Sequence, residues 1–486
     1  MEKLQEMLHE VEQSLETANQ AQLLWSRQLL RKRLKIVGKV AAEIAAEFES
    51  LVEQLPRPNA SRAEKIASEI MPLADACRYT SQVGKQVLAP TAMRWRNAAW
   101  WMGRISVRQL AEPWGTVLVI APSNYPLLLP GVQLIQAVAA GNSVLVKPSP
   151  GCDTVLVRLV ELLEQAGVPT GLVQVLPASI EHAQEVMRQG VDKVVLTGSV
   201  HTGRAVLRQL AETLTPSTME LSGCDAVLVL PQADLTPVVD CLDYALRLNG
   251  GATCIAPRRV FVTPAHHDEL VRRLKDKLTG HESAESAVSP QNLSRLQRAA
   301  EQAFAAGAKL ASGRVPTDST TQIMRPVVLD QVTPDMEIAR SDIFAPVVSI
   351  IEVEDIAAAL DADRGCPYSL GISIFGPRSF AEHWASEVEA GCVVINDIVV
   401  PTADPRVAFG GRDQSGWGVT RGRAGLLEMT RPKSICARQG NWRPHLDPVH
   451  GDNSELLIQL LQIFHAAKWS ARFAAVKKMF QIVRQK

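Results

Sequence analysis

The chain has 486 residues, too many for one ordinary hydrophobic core, so its length predicts two or three domains. Its residues are 46% hydrophobic and 21% charged, which is typical of a globular protein, and 51 basic side chains balance 51 acidic ones. This balance argues against a surface for nucleic acid. No apolar run of about eighteen residues occurs, and the cysteines and histidines show no metal-ligand spacing, so we expect neither a membrane span nor a metal.

The N-terminal stretch MEKLQEMLHEVEQSLE alternates acids with leucines at helical spacing and lacks the apolar core of a secretory signal. Apolar residues continue at three- and four-residue spacing to position 55, which predicts helices with polar outer faces. The segment LPRPNAS then ends this pattern. Because the cysteines form no CxxC pair and no regular framework, we expect a reducing compartment and a cytoplasmic protein.

From residue 116 onward, short apolar strands alternate with helices. The predicted strands are TVLVIAP, NSVLVKPSP, LVQVLP and DKVVLTGS. The predicted helices are LLLPGVQLIQAVAAG, DTVLVRLVELLEQAG, EHAQEVMRQ and TGRAVLRQLAETL. This alternation is typical of a doubly wound parallel sheet. Ligands bind beyond the carboxyl ends of such strands, so we expect the loops APSNYP, KPSPG and TGSVHTG to line one crevice.

A second alternation starts near residue 226 and runs through AVLVLP, RRVFVTP, VVSIIEV, LGISIFG and CVVIND. It predicts a second α/β domain rather than an internal repeat, because the segments follow no fixed period. After residue 440 the segment NWRPHLDPVHGDNS is rich in turn-forming residues and is typical of a linker. One more helical segment follows it.

Three residues near the ends of predicted strands have side chains suited to catalysis. Cys254 lies in NGGATC, a run of small residues before a strand; a buried core thiol is the alternative. Asn124 follows the strand TVLVI, where its amide either stabilises an oxygen that becomes negative or closes a turn on its own backbone. Glu220, in TMELSG, is either a solvated surface carboxylate or a base that activates water.

The segment TGSVHTG places Gly198 and Gly203 between a strand and a helix. Backbone amides and a helix N-terminus at such a place can receive a phosphate. The spacing is not the GxGxxG of the standard dinucleotide fold, and a glycine pair after a strand also occurs in ordinary turns.

Taken in order, these segments resemble the aldehyde dehydrogenase superfamily over residues 20–438, and the shorter class-3-like and bacterial branches are the most similar. The segments that carry the resemblance are EPWGTVLVIAPSNYPLLLP, AAGNSVLVKPS, VVLTGSVHTGRAV, MELSG, NGGATCIAPRRVFV, DIFAPVVSII, GCVVIND and FGGRDQSGWG. The resemblance implies a homodimer that oxidises an aldehyde to a carboxylic acid with NAD or NADP, through a cysteine thiohemiacetal and a thioester. It implies no metal.

The resemblance also implies an α/β fold with a doubly wound parallel-sheet cofactor domain, a second α/β catalytic domain and a small bridging or oligomerisation element. The expected limits are 1–221 for the N-terminal helices and cofactor domain, 222–405 for the catalytic domain, 406–440 for a return to the cofactor domain with the bridging strand, and 441–486 for the linker and a basic helical extension.

By position in the family's motifs, Cys254 corresponds to the nucleophile, and Glu220, 34 residues earlier, corresponds to the general base. Asn124 corresponds to the asparagine that binds the oxyanion. Lys147 corresponds to the lysine that contacts the adenosine ribose of the cofactor. The other cofactor-binding positions are Gly198, Ser199, Gly203, Asp342 and Phe344. The remaining seven cysteines are expected in the core.

The departures from the family pattern concern mainly the cofactor. Pro150 replaces the glutamate with which NAD-preferring members bind the ribose hydroxyls, so NADP is as plausible as NAD. Asp342, in DIFAP, is one methylene shorter than the usual glutamate, and Ala252 replaces the usual glutamine before the nucleophile. This chain has ELSGC where the family usually has ELGGK. The alternative function is therefore a family scaffold with weakened cofactor binding that serves in binding or assembly.

The C-terminal segment 455–486 carries six basic side chains and one acid, a net charge of six minus one, or +5. Two apolar stripes occur: Leu456, Leu457, Leu460, Leu461 and Phe464, and then Trp469, Phe473, Val476, Phe480 and Val483. They predict two short helices or one helix with two docking faces. Such a segment either packs on its own subunit or across a dimer, or lies on a membrane with anionic lipid. Relatives that oxidise fatty aldehydes use a C-terminal helix near the substrate opening, so guidance of long-chain aldehydes is a further possibility.

Overall fold

The computed structural model describes residues 2–57, 60–93, 98, 104–279, 285–317, 323–441 and 454–485. These residues form two compact units, each described by itself below. One unit comprises Met1–Ala89 and Glu112–Arg431, and the other Pro90–Ala111 and Pro432–Lys486. Among the described helices, none has both the length and the apolar character that crossing a bilayer requires.

The predicted N-terminal helices form, and a single π-helical turn at Ile66–Ile70 joins the last two. Their bounds are α1 (Glu2–Ser26), α2 (Leu30–Ala46), α3 (Phe48–Gln54), α4 (Arg62–Lys65) and α5 (Met71–Leu88). The last carbonyls of a helix have no partner within it. Here the side chains of Trp25 and Arg33 donate to the final carbonyls of the helix at Leu128–Ala140, with Trp25 Nε1 2.8 Å from Val138 O.

A six-stranded sheet follows the first predicted alternation. Its strands are β3 (Thr116–Ile120), β4 (Ser143–Lys147), β5 (Val173–Val175), β6 (Lys193–Thr197), β7 (Ser217–Glu220) and β19 (Gly416–Trp417). Its helices are α6 (Leu128–Ala140), α7 (Asp153–Ala166), α8 (Ile180–Gln189) and α9 (Val200–Thr213). The order is β19-β7-β6-β3-β4-β5, with β19 antiparallel and the rest parallel. The doubly wound sheet is confirmed, and β3, β4 and β6 are buried throughout, as expected for strands covered on both faces.

A seven-stranded sheet follows the second alternation. Its strands are β8 (Asp225–Val229), β9 (Pro257–Val262), β11 (Lys309–Ser312), β13 (Val327–Asp330), β14 (Val347–Glu352), β16 (Gly371–Phe375) and β17 (Cys392–Ile395). Its order is β11-β13-β14-β9-β8-β16-β17, and β11 runs antiparallel. The associated helices are α10 (Leu235–Arg247), α11 (Pro264–Thr279), α12 (Pro290–Ala305), α13 (Ile356–Arg364) and α14 (Arg378–Ala385). Helix α15 (Gly422–Glu428) follows β19.

Two small strand pairs complete this unit, β10 (Ser286–Ala287) with β12 (Ile323–Met324) and β15 (Tyr368–Ser369) with β18 (Arg412–Asp413). The other unit contains a three-stranded sheet of order β1-β2-β20. Its strands are β1 (Thr91–Ala92), β2 (Ile105–Pro113) and β20 (Thr430–Arg438). β20 therefore forms an edge of this sheet, and most of its side chains are exposed.

The connection between the two larger sheets determines where the site lies. β7 ends at Glu220 and β8 begins at Asp225, so the carboxyl edge of the six-stranded sheet adjoins the amino edge of the seven-stranded one. β9 lies parallel to β8, and the loop that precedes β9 therefore reaches the same edge. This loop contains Cys254, which the fold thus brings close to the end of β7.

The C-terminal segment forms two helices, α16 (Ser454–His465) and α17 (Trp469–Gln485), which confirms the first of the two predicted arrangements. Lys478 Nζ lies 3.6 Å from Glu455 Oε1 and links the pair. Trp469, Phe473 and Phe480 are 71%, 70% and 61% exposed, so most of the predicted aromatic stripe faces away from α16. The predicted linker at 442–453, the Val483 side chain and Lys486 lie outside the described residues.

Candidate active site

Glu220 ends β7 and is 2% exposed, so it is not a solvated surface carboxylate. Thr420 Oγ1 donates to its Oε2 at 3.1 Å, while Oε1 is buried and has no hydrogen-bond partner among the described residues. Burial raises the pKa of Glu220, and the charge of Arg421 and the hydroxyl groups of Thr420 and Thr197 partly oppose that shift. A carboxylate with a raised pKa and a free oxygen is suited to taking a proton near neutral pH.

The loop before Cys254 has an unusual backbone. Asn249, Gly250 and Gly251 have φ values of 49°, 59° and 74°. A Cβ at Gly251 would lie 2.4 Å from Ala345 O, so this position also requires glycine for close packing. The small residues of NGGATC therefore serve the backbone of the loop, and not solely access to the sulfur.

Side chains from several elements hold this loop. Asn249 Nδ2 donates to Asn124 O at 2.9 Å and to Ala252 O at 3.2 Å. Asn249 N donates to Glu64 Oε1 at 3.2 Å, and Glu64 Oε1 in turn accepts from Arg57 Nη2 at 2.5 Å. Tyr125 and Thr253 share a hydrogen bond of 2.7 Å between their hydroxyl groups. These contacts fix the residues on either side of the loop before Cys254.

Cys254 is partly exposed and lines a cavity of about 490 Å³. The apolar side chains around this cavity include Tyr125, Leu128, Leu129, Ile255, Val400 and Phe409. Burial and the neighbouring Glu220 carboxyl raise the pKa of the Cys254 thiol well above its ordinary value. The resting thiol is therefore protonated and needs a base or a cation before it can react.

Asn124 lies in the loop after β3, at the carboxyl edge of the six-stranded sheet. Its Nδ2 donates to Ala252 O at 3.0 Å, so the amide contacts the loop that carries Cys254. Its Oδ1 accepts from Tyr125 N at 3.1 Å, as in the turn that the sequence offered as the alternative. The turn is thus present, and one N–H of the amide remains for another acceptor.

Lys147 ends β4 at this same edge and is 9% exposed. No acceptor among the described residues binds its ammonium group, and burial lowers its pKa. Ser149 Oγ donates to Ala121 O at 3.0 Å and joins the loops after β4 and β3. Pro150 is exposed beside them and contributes no charge.

The loop after β6 lies at the same carboxyl edge of the six-stranded sheet as the loops after β3 and β4. This confirms that the three predicted loops, APSNYP, KPSPG and TGSVHTG, share one edge. Ser199 caps α9, since its Oγ accepts from Thr202 N at 3.1 Å. Gly198 N donates to Glu220 O at 3.0 Å. Gly203 lies inside α9, where its N–H donates to Ser199 O, so the expectation that it lies between the strand and the helix is wrong.

Gly203 instead permits close packing, because a Cβ there would lie 2.9 Å from Leu221 Cδ1. Helix α9 begins directly after β6, at the same carboxyl edge of the sheet where Lys147 ends β4. A helix N-terminus and an unpaired ammonium group suit a dinucleotide phosphate, so these residues fit NAD or NADP.

Asp342 and Phe344 share one cationic partner. Asp342 is 4% exposed, and its Oδ1 lies 3.4 Å from Arg258 Nη2. Burial raises the pKa of Asp342 to about 6 despite the nearby arginine. The Arg258 guanidinium also lies 5.9 Å from the centre of the half-buried Phe344 ring. The structure thus gives Asp342 an internal ion pair that the sequence did not predict.

The sequence interpretation missed Thr420, Arg421 and Phe409. All three lie in or beside FGGRDQSGWGVTRG, yet only contacts over long separations bring them to Cys254 and Glu220. An arginine between Gly418 and Gly422 was the one signal available in the sequence. The expectation that the other cysteines lie in the core is wrong for Cys436, which is exposed on an edge strand, and only partly right for Cys241 and Cys392, which have intermediate exposure.

Residues 5–435 match the aldehyde dehydrogenase family. The 4,4'-diapolycopene aldehyde oxidase of Methylomonas sp is 28% identical over 508 aligned positions, which cover 98% of this chain and 95% of that protein. The NADP-dependent glyceraldehyde-3-phosphate dehydrogenase of Bacillus halodurans, solved with NADP, is 26% identical, has a TM-score of 0.81, and aligns over 89% of this chain and 92% of that one.

A Mycobacterium tuberculosis aldehyde dehydrogenase solved with NAD⁺ has a TM-score of 0.82 at 23% identity, covers 90% of this chain and 91% of its own, and supports the fold. The family match spans both larger sheets and every predicted site residue. The chain therefore belongs to the aldehyde dehydrogenase family, as an enzyme that oxidises an aldehyde to a carboxylic acid with NAD or NADP.

Proposed function

We propose that Cys254 is the nucleophile, Glu220 the general base and Asn124 the oxyanion donor for an aldehyde that enters through the apolar cavity. The observation that carries this proposal is the position of Cys254, whose partly exposed thiol lines that cavity next to the end of β7. The apolar lining favours an aldehyde with a hydrophobic body. A scaffold without activity is not favoured.

In this proposal the Cys254 thiol attacks the aldehyde, and the Glu220 carboxyl group later accepts a proton from water. The Cys254 thiol loses its proton to solvent, and the resulting thiolate adds to the aldehyde carbonyl, whose oxygen becomes an oxyanion in a thiohemiacetal. The second N–H of Asn124 and the Cys254 backbone N–H donate to that oxyanion. Loss of one such donor typically slows a reaction about a hundred- to a thousand-fold.

Bound NAD or NADP supplies the acceptor for the hydride that leaves this adduct. Loss of the hydride leaves a thioester on Cys254. The free Oε1 of Glu220 then accepts a proton from the water that attacks the thioester, which releases the carboxylic acid and restores the thiol. Lys147, Ser199 and the start of α9 hold the nucleotide, and Gly198 and Gly203 shape that edge. Asp342 and Phe344, both next to Arg258, position the nicotinamide end.

Replacement of the nucleophile tests this proposal. Cys254→Ala should abolish aldehyde oxidation, because no other group in the cavity forms the thiohemiacetal, while the fold and cofactor binding persist. Cys392→Ala is a matched control, since Cys392 packs against the same cluster of Ile255, Leu370 and Phe409 and should be dispensable. Steady-state rates, circular dichroism and cofactor titration measure the three properties. Substantial oxidation by Cys254→Ala would refute the assignment.

The domain limits 1–221, 222–405, 406–440 and 441–486 remain a proposal. In support of it, β7 ends at Glu220 and β8 starts at Asp225. After the second sheet the chain returns, because β19 pairs with β7, and β20 then joins the three-stranded sheet.

We also propose a homodimer in the cytoplasm. The exposed edge of β20 offers backbone groups to a second copy, and such edges commonly pair. All eight cysteines are free thiols, which suits a reducing compartment.

We further propose that α16 and α17 contact an anionic lipid surface. The exposed rings of Trp469, Phe473 and Phe480 accompany a surplus of basic side chains, as in helices that lie in a membrane interface. Packing of the same face across a dimer is the alternative. Deletion of the segment distinguishes the two.

A further inference from the structure

Arg421 is a buried cation in the cavity that contains Cys254. It is 8% exposed, and no carboxylate of the described residues forms an ion pair with it. Its Nη1 donates to Thr402 O at 2.7 Å, and its guanidinium lies 4.7 Å from the centre of the Phe409 ring. A buried charge without an ion-pair partner is costly, so the retention of this arginine calls for a functional explanation.

The backbone at Arg421 is strained as well. Its φ of 60° and ψ of 173° lie in a region that side chains with a Cβ rarely adopt. Hydrogen bonds on both sides hold the residue there: Phe409 and Thr420 exchange backbone bonds of 2.8 and 2.7 Å, and Gly422 N donates to Pro405 O at 3.1 Å. Strain of this kind concentrates at functional sites.

The same aromatic ring joins Arg421 to Cys254. Cys254 packs against the small cluster of Ile255, Leu370 and Phe409, and Arg421 stacks on the Phe409 ring of that cluster. Thr420, the neighbour of Arg421, donates to Glu220. The guanidinium is therefore fixed relative to both predicted catalytic groups.

The surroundings of Cys254 are otherwise acidic. The titratable groups that interact electrostatically with Cys254 include Tyr125, Glu220, Asp225, Asp342 and Arg421. Burial and the three carboxyl groups raise the pKa of the thiol, while Arg421 lowers it. Arg421 is thus the group of this set whose charge favours the thiolate.

We propose that Arg421 is a positioning residue whose fixed positive charge offsets the carboxyl groups around Cys254 and stabilises the sulfur as the attacking thiolate. This inference rests on the proposed role of Cys254 as nucleophile. In this role Arg421 needs no contact with substrate, and the thiolate gives a use to a strained arginine that has no ion-pair partner among the described residues.

Alkylation of Cys254 tests the inference without turnover. The full-length protein is treated with iodoacetamide between pH 6 and 10, and mass spectrometry follows the Cys254 peptide. Because only the thiolate reacts, Arg421→Gln should slow alkylation about tenfold at each pH below the thiol pKa, which corresponds to a pKa higher by about one unit. Arg421→Lys keeps the charge and should restore most of the rate. The exposed Cys436 serves as an internal reference whose rate should not change.

Arg247 provides the matched control. It lines the same cavity, but its guanidinium is paired with Asp243 at 3.0 and 2.5 Å, so Arg247→Gln should leave Cys254 alkylation unchanged. Arg421→Gly removes the charge at a backbone conformation that glycine adopts readily, and it replaces Arg421→Gln if that variant fails to fold.

Two results would overturn the inference. One is an unchanged alkylation profile in Arg421→Gln and Arg421→Gly. If these variants then raise only the KM of aldehydes with a distal carboxylate, Arg421 binds substrate and does not act on the thiol. The other is an equal slowing by Arg247→Gln. Failure of Cys254→Ala to abolish oxidation would instead refute the nucleophile assignment, so the two failures are distinguishable.

Discussion

Glu220 combines burial, one hydrogen bond from Thr420 and one free oxygen. If it acts only in thioester hydrolysis, Glu220→Gln should still release close to one equivalent of reduced cofactor per site in a burst, and then turn over slowly. Stopped-flow absorbance measures the burst and the steady state. Disappearance of the burst together with turnover would mean that Glu220 is needed before hydride transfer.

The pH dependence of this step has a definite sign. Hydrolysis needs the Glu220 carboxylate, and burial raises its pKa, so the hydrolytic rate of the wild type should increase as the pH rises through that pKa. The slow turnover of Glu220→Gln should not increase over the same pH range. Glutamine keeps the size and the acceptor oxygen for Thr420, so it is a close control for packing.

At the residue scale, Pro150 leads to a prediction about the choice between NAD and NADP. A pocket without a carboxylate at this position should accept NADP within about tenfold of NAD, or about 1.4 kcal/mol. Pro150→Glu should shift the ratio of kcat/KM values toward NAD, because a carboxylate binds ribose hydroxyls and repels a 2′-phosphate. Pro150→Ala removes the ring without adding charge and should leave the ratio unchanged. Strong NAD selectivity in the wild type would contradict this interpretation.

At the scale of elements, the loop before β9 and the N-terminus of α9 show how glycines act. Gly251 satisfies both a positive φ and a close approach to Ala345. Gly203 lets α9 approach Leu221. Neither glycine needs to touch a ligand, yet each fixes the backbone on which nearby predicted site residues depend.

The pair α16–α17 carries the prediction at this scale. Deletion of 450–486 should abolish sedimentation with liposomes that contain anionic lipid, because it removes the exposed aromatic rings and the basic surplus. It should also lower activity on long-chain aldehydes more than on short ones. Liposome sedimentation at low and high salt and rates on both substrate classes measure these effects.

Light scattering on the full-length and truncated proteins controls for assembly. A dimer in both supports pairing through β20, whereas a monomer only after truncation means that the helices pack across subunits. If full-length protein ignores liposomes and truncation affects both chain lengths equally, the lipid and guidance proposals both fail.

For the whole molecule, the order of strands and helices could be predicted because it follows from local pattern. Continuous apolar runs gave β3, β4 and β6, and Gly141, with a φ of 108°, ends α6 where the sequence predicted. The resemblance of the motifs around Asn124, Glu220 and Cys254 to those of the family implied the roles of these residues. The division into two α/β sheets and the family could therefore be assigned without coordinates.

The sequence by itself determined the elements, the family and the residues with reactive side chains, since these depend on neighbours a few positions apart. Tertiary structure alone decided the environment of each residue. Thr420 reaches Glu220 across 200 positions and Asn124 reaches Ala252 across 128. The tertiary structure also paired Asp342 with Arg258 and brought Arg421 into the cavity with Cys254. Burial and charge act through space, and no local pattern shows which distant side chains will meet.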